Sequence, residues 1–275
     1  MNNVQSRTQP SPVSAVRIHE VRPPSLAVTN AVFIGRSIRH SLRNVESLLM
    51  AIMLPVMLML LFTYVFGGAL DPSGGYVNYV VPGIILLCAG FGSSGTAIDV
   101  ATDMTNGIID RFRTMPIRSM GVIAGHVVAS LIRNLLATAI VFGVALLVGF
   151  RPDASLVGWL GAIGLIVLFI LTFTWLFAAI GLVTGSPTAA SGYGFILLFL
   201  PYLSSAFVPT STMPSWLQGI ANHQPITPVI ETIRALLTGM PAGDYGWKAV
   251  VWCGAILAVA LVWCGAAFRR KAGRR

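Results

Sequence analysis

Residues 156–183 read LVGWLGAIGLIVLFILTFTWLFAAIGLV, and no charged residue interrupts them. A helix that crosses a bilayer needs roughly 20 predominantly apolar residues, and this run exceeds that, so it is expected to tilt or protrude. Five other runs have comparable character: 47–66, 79–100, 131–150, 189–207 and 250–268. Together they predict an all-α membrane protein with six transmembrane helices. The composition agrees. Hydrophobic residues make up 55% of the chain and charged residues 10%, whereas soluble domains carry about 25% charged residues. One soluble core of this size cannot bury so much apolar surface, and only helices or closed barrels satisfy their backbone polar groups inside lipid.

The 18 Lys and Arg against 9 Asp and Glu give a formal net charge of +9. Nucleic acid and anionic lipid are the usual partners of such a balance, and the placement of the charges favours lipid, with no nucleic acid. Arg7, Arg17, Arg22, Arg36, Arg39 and Arg43 precede the first run. Arg111, Arg113 and Arg118 lie between the second and third, and Arg269, Arg270, Lys271, Arg274 and Arg275 follow the last. Arg133 is near enough to snorkel to the same side, while Arg151, Arg234 and Lys248 fall on the other. The positive-inside rule therefore puts both termini and the second connection in the cytoplasm. The first apolar run begins too late in the chain to serve as a signal peptide. Residues 1–24, with Pro10, Pro12, Pro23 and Pro24 among polar residues, are expected to form a disordered cytoplasmic tail, and 25–275 the transmembrane domain.

Two segments outside the spans have their own pattern. In 28–45, Ile34, Ile38, Leu42 and Val45 recur at helical spacing opposite Arg36, Arg39, His40 and Arg43. That is the signature of a basic amphipathic helix in the cytoplasmic interface, or of a positive-inside anchor whose periodicity is accidental. The segment 209–247 is too apolar for a solvated loop, with Trp216, Leu217, Ile220, Ile226, Val229, Ile230, Ile233, Leu236 and Leu237. Thr227-Pro228 resembles an N-cap followed by proline at the first helical position. Short re-entrant helices in the outer leaflet, between the fifth and sixth spans, or a loop folded onto the outer surface would both suit it.

Reactive constellations are missing. Gly92-Ser93-Ser94-Gly95 matches the GxSG of intramembrane serine proteases, yet His19, His40, His126 and His223 put no base inside a later span; small residues packing the second span explain it better. Cys88, Cys253 and Cys264 lie singly in apolar runs and suggest neither a disulfide framework nor a metal site. No GxxxxGK[ST] phosphate loop occurs. Glu46, Asp99 and Arg133 all fall near cytoplasmic ends, whereas ion-coupled carriers keep such groups near the midplane. A transporter energised by another protein fits, and an ATP-independent channel or secondary carrier is the alternative.

The connection 101–130 is punctuated by Asp103, Gly107, Asp110, Arg111, Phe112, Arg113 and Pro116, and Ile108, Phe112 and Met115 form an apolar stripe. A short helix of this kind suits a partner's groove or a membrane interface equally. Asp103, then Gly107-Ile108 and Asp110-Arg111-Phe112-Arg113-Thr114-Met115-Pro116-Ile117, resembles the cytoplasmic loop of ABC type-2 exporter permeases of the daunorubicin/doxorubicin-resistance type. A second match is Phe207-Val208-Pro209, Met213-Pro214-Ser215-Trp216-Leu217, Pro225-Ile226-Thr227-Pro228 and Arg234-Ala235-Leu236-Leu237. Gln224 stands where the family commonly has Asn, and Thr105 and Asn106 where it often has an acid before the loop glycine.

The resemblance implies a permease in the bacterial inner membrane that pairs with a second permease chain, identical or homologous, above two ABC ATPase subunits. The ATPases would bind ATP and Mg, and this chain no cofactor. Asp103, Gly107, Ile108, Asp110, Arg111, Phe112, Arg113, Met115 and Pro116 would form the coupling helix, and Ile34, Ile38, Arg39, Leu42 and Arg43 the interfacial helix. Pro209, Pro214, Trp216, Pro225, Pro228 and Arg234 would mark the re-entrant segment. The cargo would be an amphipathic or hydrophobic drug, lipid or polymer. The charge asymmetry makes one prediction directly: in intact cells a cysteine at Ser73 reacts with an impermeant maleimide and one at Ser119 only after permeabilisation, and the reverse pattern would invert the topology.

Overall fold

The computed structural model describes residues 45–106 and 120–272, and among them every regular element is helical. The expected tail (1–24), the interfacial residues Ile34, Ile38, Arg39, Leu42 and Arg43, and Gly107 to Pro116 of the expected coupling helix lie outside the described residues. Helix α1 (Val45–Leu60) continues through a π-helical stretch, Leu61–Phe66, into the single turn α2 (Gly67–Leu70). Then come α3 (Tyr76–Thr105), α4 (Met120–Val148), α5 (Leu156–Val183), α6 (Pro187–Leu197), α7 (Ser215–His223), α8 (Ile226–Thr238) and α9 (Tyr245–Ala272). Five stretches are long and apolar enough to cross a membrane: Leu48–Leu70, Tyr76–Thr105, Ile123–Val148, Leu156–Val183 and Tyr245–Arg269. Several extend beyond their apolar runs, because the i to i−4 ladder continues past the hydrocarbon edge wherever no proline or glycine stops it.

The fifth expected span, 189–207, is not one helix. Helix α6 ends at Leu197, a 3-10 turn follows at Leu200–Leu203, and Ser204 caps it in an extended conformation. Pro201 explains the break: it has no N–H to donate and disfavours α geometry at the residue before it. The broken segment still runs antiparallel beside α3. Gly194 faces Ser94, Gly90 faces Leu198, and Gly83 faces Ala206, while the Tyr76 hydroxyl donates to the Phe207 carbonyl at 2.7 Å. Pro55 and Pro82 lie inside α1 and α3.

Helix α3 is the centre of the bundle. In its most apolar window 72% of residues are buried by the protein itself, against 17% for α1 and 22% for α9. It packs against α5, α4, α6, α1 and α8, and α9 packs against α5 and α8. Ile84, Ile85, Leu86, Leu87 and Cys88 of α3 are buried with Phe169 and Ile170 of α5 and Ile230 and Ile233 of α8. Lipid tails are as apolar as leucine, so helices in a bilayer associate through close packing and polar contacts rather than through escape from water. Glycines supply the close packing. A Cβ on Gly83 would lie 2.7 Å from Ala206, and one on Gly158 would lie 2.6 Å from the Leu236 carbonyl. Gly161 borders the Leu236 side chain, whereas Gly164 has open space beside it. Of the three glycines repeating along α5, two therefore meet α8.

The turn before α3 is held locally. Asp71 accepts from the Ser73 amide at 3.0 Å, and the hydrogen bonds from Ser73 hold its carboxyl below the usual carboxylate range. Gly74 takes a positive φ of 82°. We expect Gly83→Ala to destabilise the fold by about 1–3 kcal/mol through overpacking. Gly143→Ala, where nothing lies within 4 Å, should be neutral or mildly stabilising. Thermal melting of the two purified variants in one detergent checks the difference; equal melting points would mean that the α3–Ala206 approach is not tight.

Candidate functional site

Polar groups gather at the two ends of the bundle, and each end has a distinct construction. At the first, the segment after α6 and the C-terminal part of α8 close over the start of α3. Arg234 of α8 donates from Nε and NH2 to the Tyr79 carbonyl at 3.2 and 3.0 Å, and from NH2 to the Ser205 carbonyl at 2.9 Å. Its guanidinium carbon stands 3.8 Å from the centroid of the Tyr79 ring, and Glu231 pairs with it one turn back. The Tyr79 hydroxyl donates to the Ser205 carbonyl at 3.0 Å. Of these carbonyls, that of Ser205 lies past the 3-10 break, outside any helical ladder, and needs a donor from elsewhere. A planar guanidinium with five donors can serve several of them at once.

The same end carries the other residues that the sequence assigned to the outer segment. Pro209 precedes the 3-10 turn Thr210–Thr212, and Pro214 caps α7. Trp216 is 71% exposed on α7. Helix α8 starts earlier than Thr227-Pro228 suggested: Pro225 occupies the cap position and Ile226 is already helical. Thr227 turns its hydroxyl to the Ala221 carbonyl at 2.6 Å, joining α7 to α8 instead of capping. Pro228 is buried within the first turn, where a missing N–H costs nothing because those donors have no intrahelical partner. Gly239, with φ of 71°, ends α8, and the Asp153 amide donates to the Leu237 carbonyl at 3.0 Å. Arg151 donates its amide to the Asn78 side chain at 3.1 Å. Arg151 and Arg234 are therefore at one end of the bundle, as the charge pattern required.

The opposite end is a polar seam between α3, α4 and α5. His126 Nε2 and Asp103 Oδ2 are 2.9 Å apart. Arg133 NH1 stands 3.6 Å from Asp99 Oδ2, and Arg133 NH2 reaches the Gly92 carbonyl at 3.5 Å. Thr96 donates to Ser130 at 2.7 Å. Deeper, Ser93 donates to the Ala89 carbonyl at 2.7 Å and accepts from Asn134 at 3.1 Å and from Thr174 at 3.3 Å. Gly92 makes room for the Asn134 side chain in this position, since a Cβ would overlap its amide oxygen. The Gly-Ser-Ser-Gly stretch thus packs helices through small residues and hydroxyls. Asn134, fully buried, was not singled out from sequence, although a lone amide inside an apolar run is a visible signal for interhelical hydrogen bonding. Asp103 is the one expected coupling residue that the described residues include, and it is joined to His126 across α3 and α4.

Replacing Arg234 with alanine leaves the Tyr79 and Ser205 carbonyls without this donor and Glu231 without its partner. The expected cost is about 2–4 kcal/mol, because breaking a mostly buried network leaves desolvated polar groups unmet. Arg234→Lys should recover only part, since one ammonium cannot match the fork. Thermal stability of the purified variants measures both; full stability of Arg234→Ala would show that the network holds nothing.

With the geometry established, comparison with known proteins locates the chain. The family described as ABC-2 type transporter matches residues 30–238. The daunorubicin resistance ABC transporter permease protein DrrB1 of Streptomyces coeruleorubidus is 33% identical over 190 residues, covering 68% of this chain and 67% of the relative. The probable doxorubicin resistance ABC transporter permease protein DrrC of Mycobacterium tuberculosis is 26% identical over 232 residues, 83% of each chain. The putative transport permease ycf38 of Cyanophora paradoxa is 29% identical over 204 residues, covering 70% and 69%. The family match takes in both sequence signatures and runs from before α1 to the last residue of α8, and on that extent the chain belongs to the ABC-2 type transporter family.

Proposed function

We propose that the chain is the transmembrane permease subunit of an ATP-binding-cassette exporter. It moves an amphipathic drug, lipid or similar hydrophobic compound out of the cytoplasm, using ATP hydrolysed with Mg on a separate ATPase subunit. The match to the ABC-2 family over residues 30–238 carries this reading, and relatives named for daunorubicin and doxorubicin resistance support the cargo class. The chain has no phosphate loop, so the energy must arrive through a protein contact. The placement of ionisable groups speaks against an ATP-independent channel or secondary carrier. At 1.5 Å per residue, Asp99 stands about 34 Å along α3 from Tyr76, beyond the roughly 30 Å of hydrocarbon, and so at a boundary rather than a midplane.

In this reading the Asp99–Asp103 end is cytoplasmic and the Arg234 end extracytoplasmic, with both termini on the cytoplasmic side of the bacterial inner membrane. The segment Pro187–Leu203 completes a sixth crossing beside α3, partly as a 3-10 turn, and α7 and α8 are the re-entrant outer helices. A second permease chain would cover the exposed aromatics of α6 and the turn after it, where Tyr193, Phe195 and Phe199 are 57, 61 and 52% exposed. Residues 28–45 would lie in the inner interface.

Coupling is assigned to Asp103, Gly107, Ile108, Asp110, Arg111, Phe112, Arg113, Met115 and Pro116. The contact between Asp103 and His126 supports this, because a displacement of the loop would be transmitted to both α3 and α4. Phe112 supplies the aromatic anchor, and aromatic and arginine side chains dominate contact energies. The double variant Phe112→Ala, Arg113→Ala should insert normally, lose most of its association with the ATPase and stop ATP-driven export. The Phe112 anchor alone should contribute about 2–4 kcal/mol. Copurification with the ATPase, together with transport into inverted vesicles, tests this. Retained ATPase and normal export would move the coupling element elsewhere; export by the wild type without ATP would favour a carrier.

A further inference from the structure

A cavity of about 580 Å³ opens between α1 and α3, with Arg133 of α4 in its lining. Met50, Ala51 and Leu54 form one wall and Phe91, Ile98 and Asp99 the other, with Gly92, Ser94 and Gly95 between. We propose that this groove binds a cationic amphiphile taken from the cytoplasmic leaflet, with the Asp99 carboxylate as its counter-charge. The inference rests on the exporter reading and names the chemical class that it would admit.

Three observations carry it. The volume lies within the roughly 300–1,000 Å³ typical of small-molecule sites. The groove opens where α1 faces away from the protein: Met50 and Leu54 are 68% and 40% exposed, so an acyl chain or flat ring can slide in from lipid without crossing water. Its two ends differ in chemistry. Asp99 stands at the polar end, and Phe91 lies about 12 Å deeper along the same helix, so a charged head and an apolar body are accommodated in one axis.

The sign of the charge follows from accessibility. The Arg133 side chain is 7% exposed and engaged with Asp99 and with the Gly92 carbonyl, whereas the Asp99 side chain is 40% exposed. Arg133 NH1 stands 3.6 Å from Asp99 Oδ2, and an ionised carboxylate accepts at about four lone-pair sites. Arg133 therefore steadies Asp99 and leaves acceptor capacity facing the cavity. An ammonium head can use that capacity; an anionic head would meet the carboxylate first.

The test uses the full permease in phosphatidylcholine nanodiscs, without ATP or ATPase. The probe is a dansyl-tagged long-chain primary amine, compared with its neutral N-acetyl twin. The wild type should bind the amine roughly fivefold to tenfold more tightly than the twin. Asp99→Asn should abolish that preference and Asp99→Glu should keep it. Ile98→Phe, which fills the groove and retains the charge, should weaken both probes. If Asp99→Asn fails to give a monodisperse protein, Ile98→Phe decides: weakened binding supports the groove, and unchanged binding overturns it. An intact preference in Asp99→Asn, equal binding of the two probes to the wild type, or displacement of the amine by phosphatidylglycerol would also overturn it. The last outcome would indicate an anionic-lipid site on Arg133. ATP-driven export, measured separately with the ATPase, distinguishes the two failures. Export without an Asp99-dependent preference removes only the groove, and the preference without ATP-dependent export removes only the exporter reading.

Discussion

The burial of α3 on nearly all sides is the constraint on which the rest of this structure depends. A helix in lipid gains little by exchanging lipid contacts for equally apolar protein contacts. A central helix must therefore offer closer packing or polar partners than lipid can. Helix α3 offers both. Gly83 lets the Ala206 backbone approach, Gly92 makes room for the Asn134 amide, and Ala97 lies against Gly181 of α5. Ser93 and Thr96 provide the hydrogen bonds that lipid lacks. The neighbours are arranged by these points, and residues 194–207 follow α3 along its length even where they cease to be an α-helix.

The break near Pro201 shows how one local defect organises a whole end of the molecule. Once 198–205 leaves the α-helical ladder, its carbonyls need donors from elsewhere. Arg234, Tyr79 and Gln224 provide them: Gln224 donates to the Leu203 carbonyl at 2.6 Å, and Ser205 receives both Arg234 and Tyr79. Helices α7 and α8 are thereby tied to the bundle by polar contacts at their junctions and by apolar burial along α8. A cap built this way is held to α3 rather than suspended from the ends of its flanking helices. In the exporter reading, the outer cap and the cytoplasmic seam are both attached to one central helix.

Ionisable groups follow the same economy. Arg133 is almost fully buried, and it is joined to Asp99 and the Gly92 carbonyl. Charges in such positions are found where they are paired or where a pathway needs them. In the groove beside them a charged pair, an aromatic ring and an opening beside exposed α1 residues coincide.

By itself the sequence determined the membrane class, four of the spans closely, the inequality of the two ends and the family resemblance, because hydrophobic length and charge asymmetry are local properties counted along the chain. It also gave the apolar face of α8 and the position of Arg234. Tertiary structure decided what local pattern cannot express. The run 189–207 has the hydropathy of a span, but Pro201 breaks its helix and α3 holds the remainder in place. Thr227 looks like a cap in sequence, yet its hydroxyl serves Ala221, because Pro225 already begins the helix. Asn134 gains meaning only when Gly92 and Ser93 are opposite it, and the groove at Asp99 exists only because α1, α3 and α4 converge there. In each case the deciding contact joins residues far apart in the chain, and periodicity along a single helix carries no information about which neighbour it will meet.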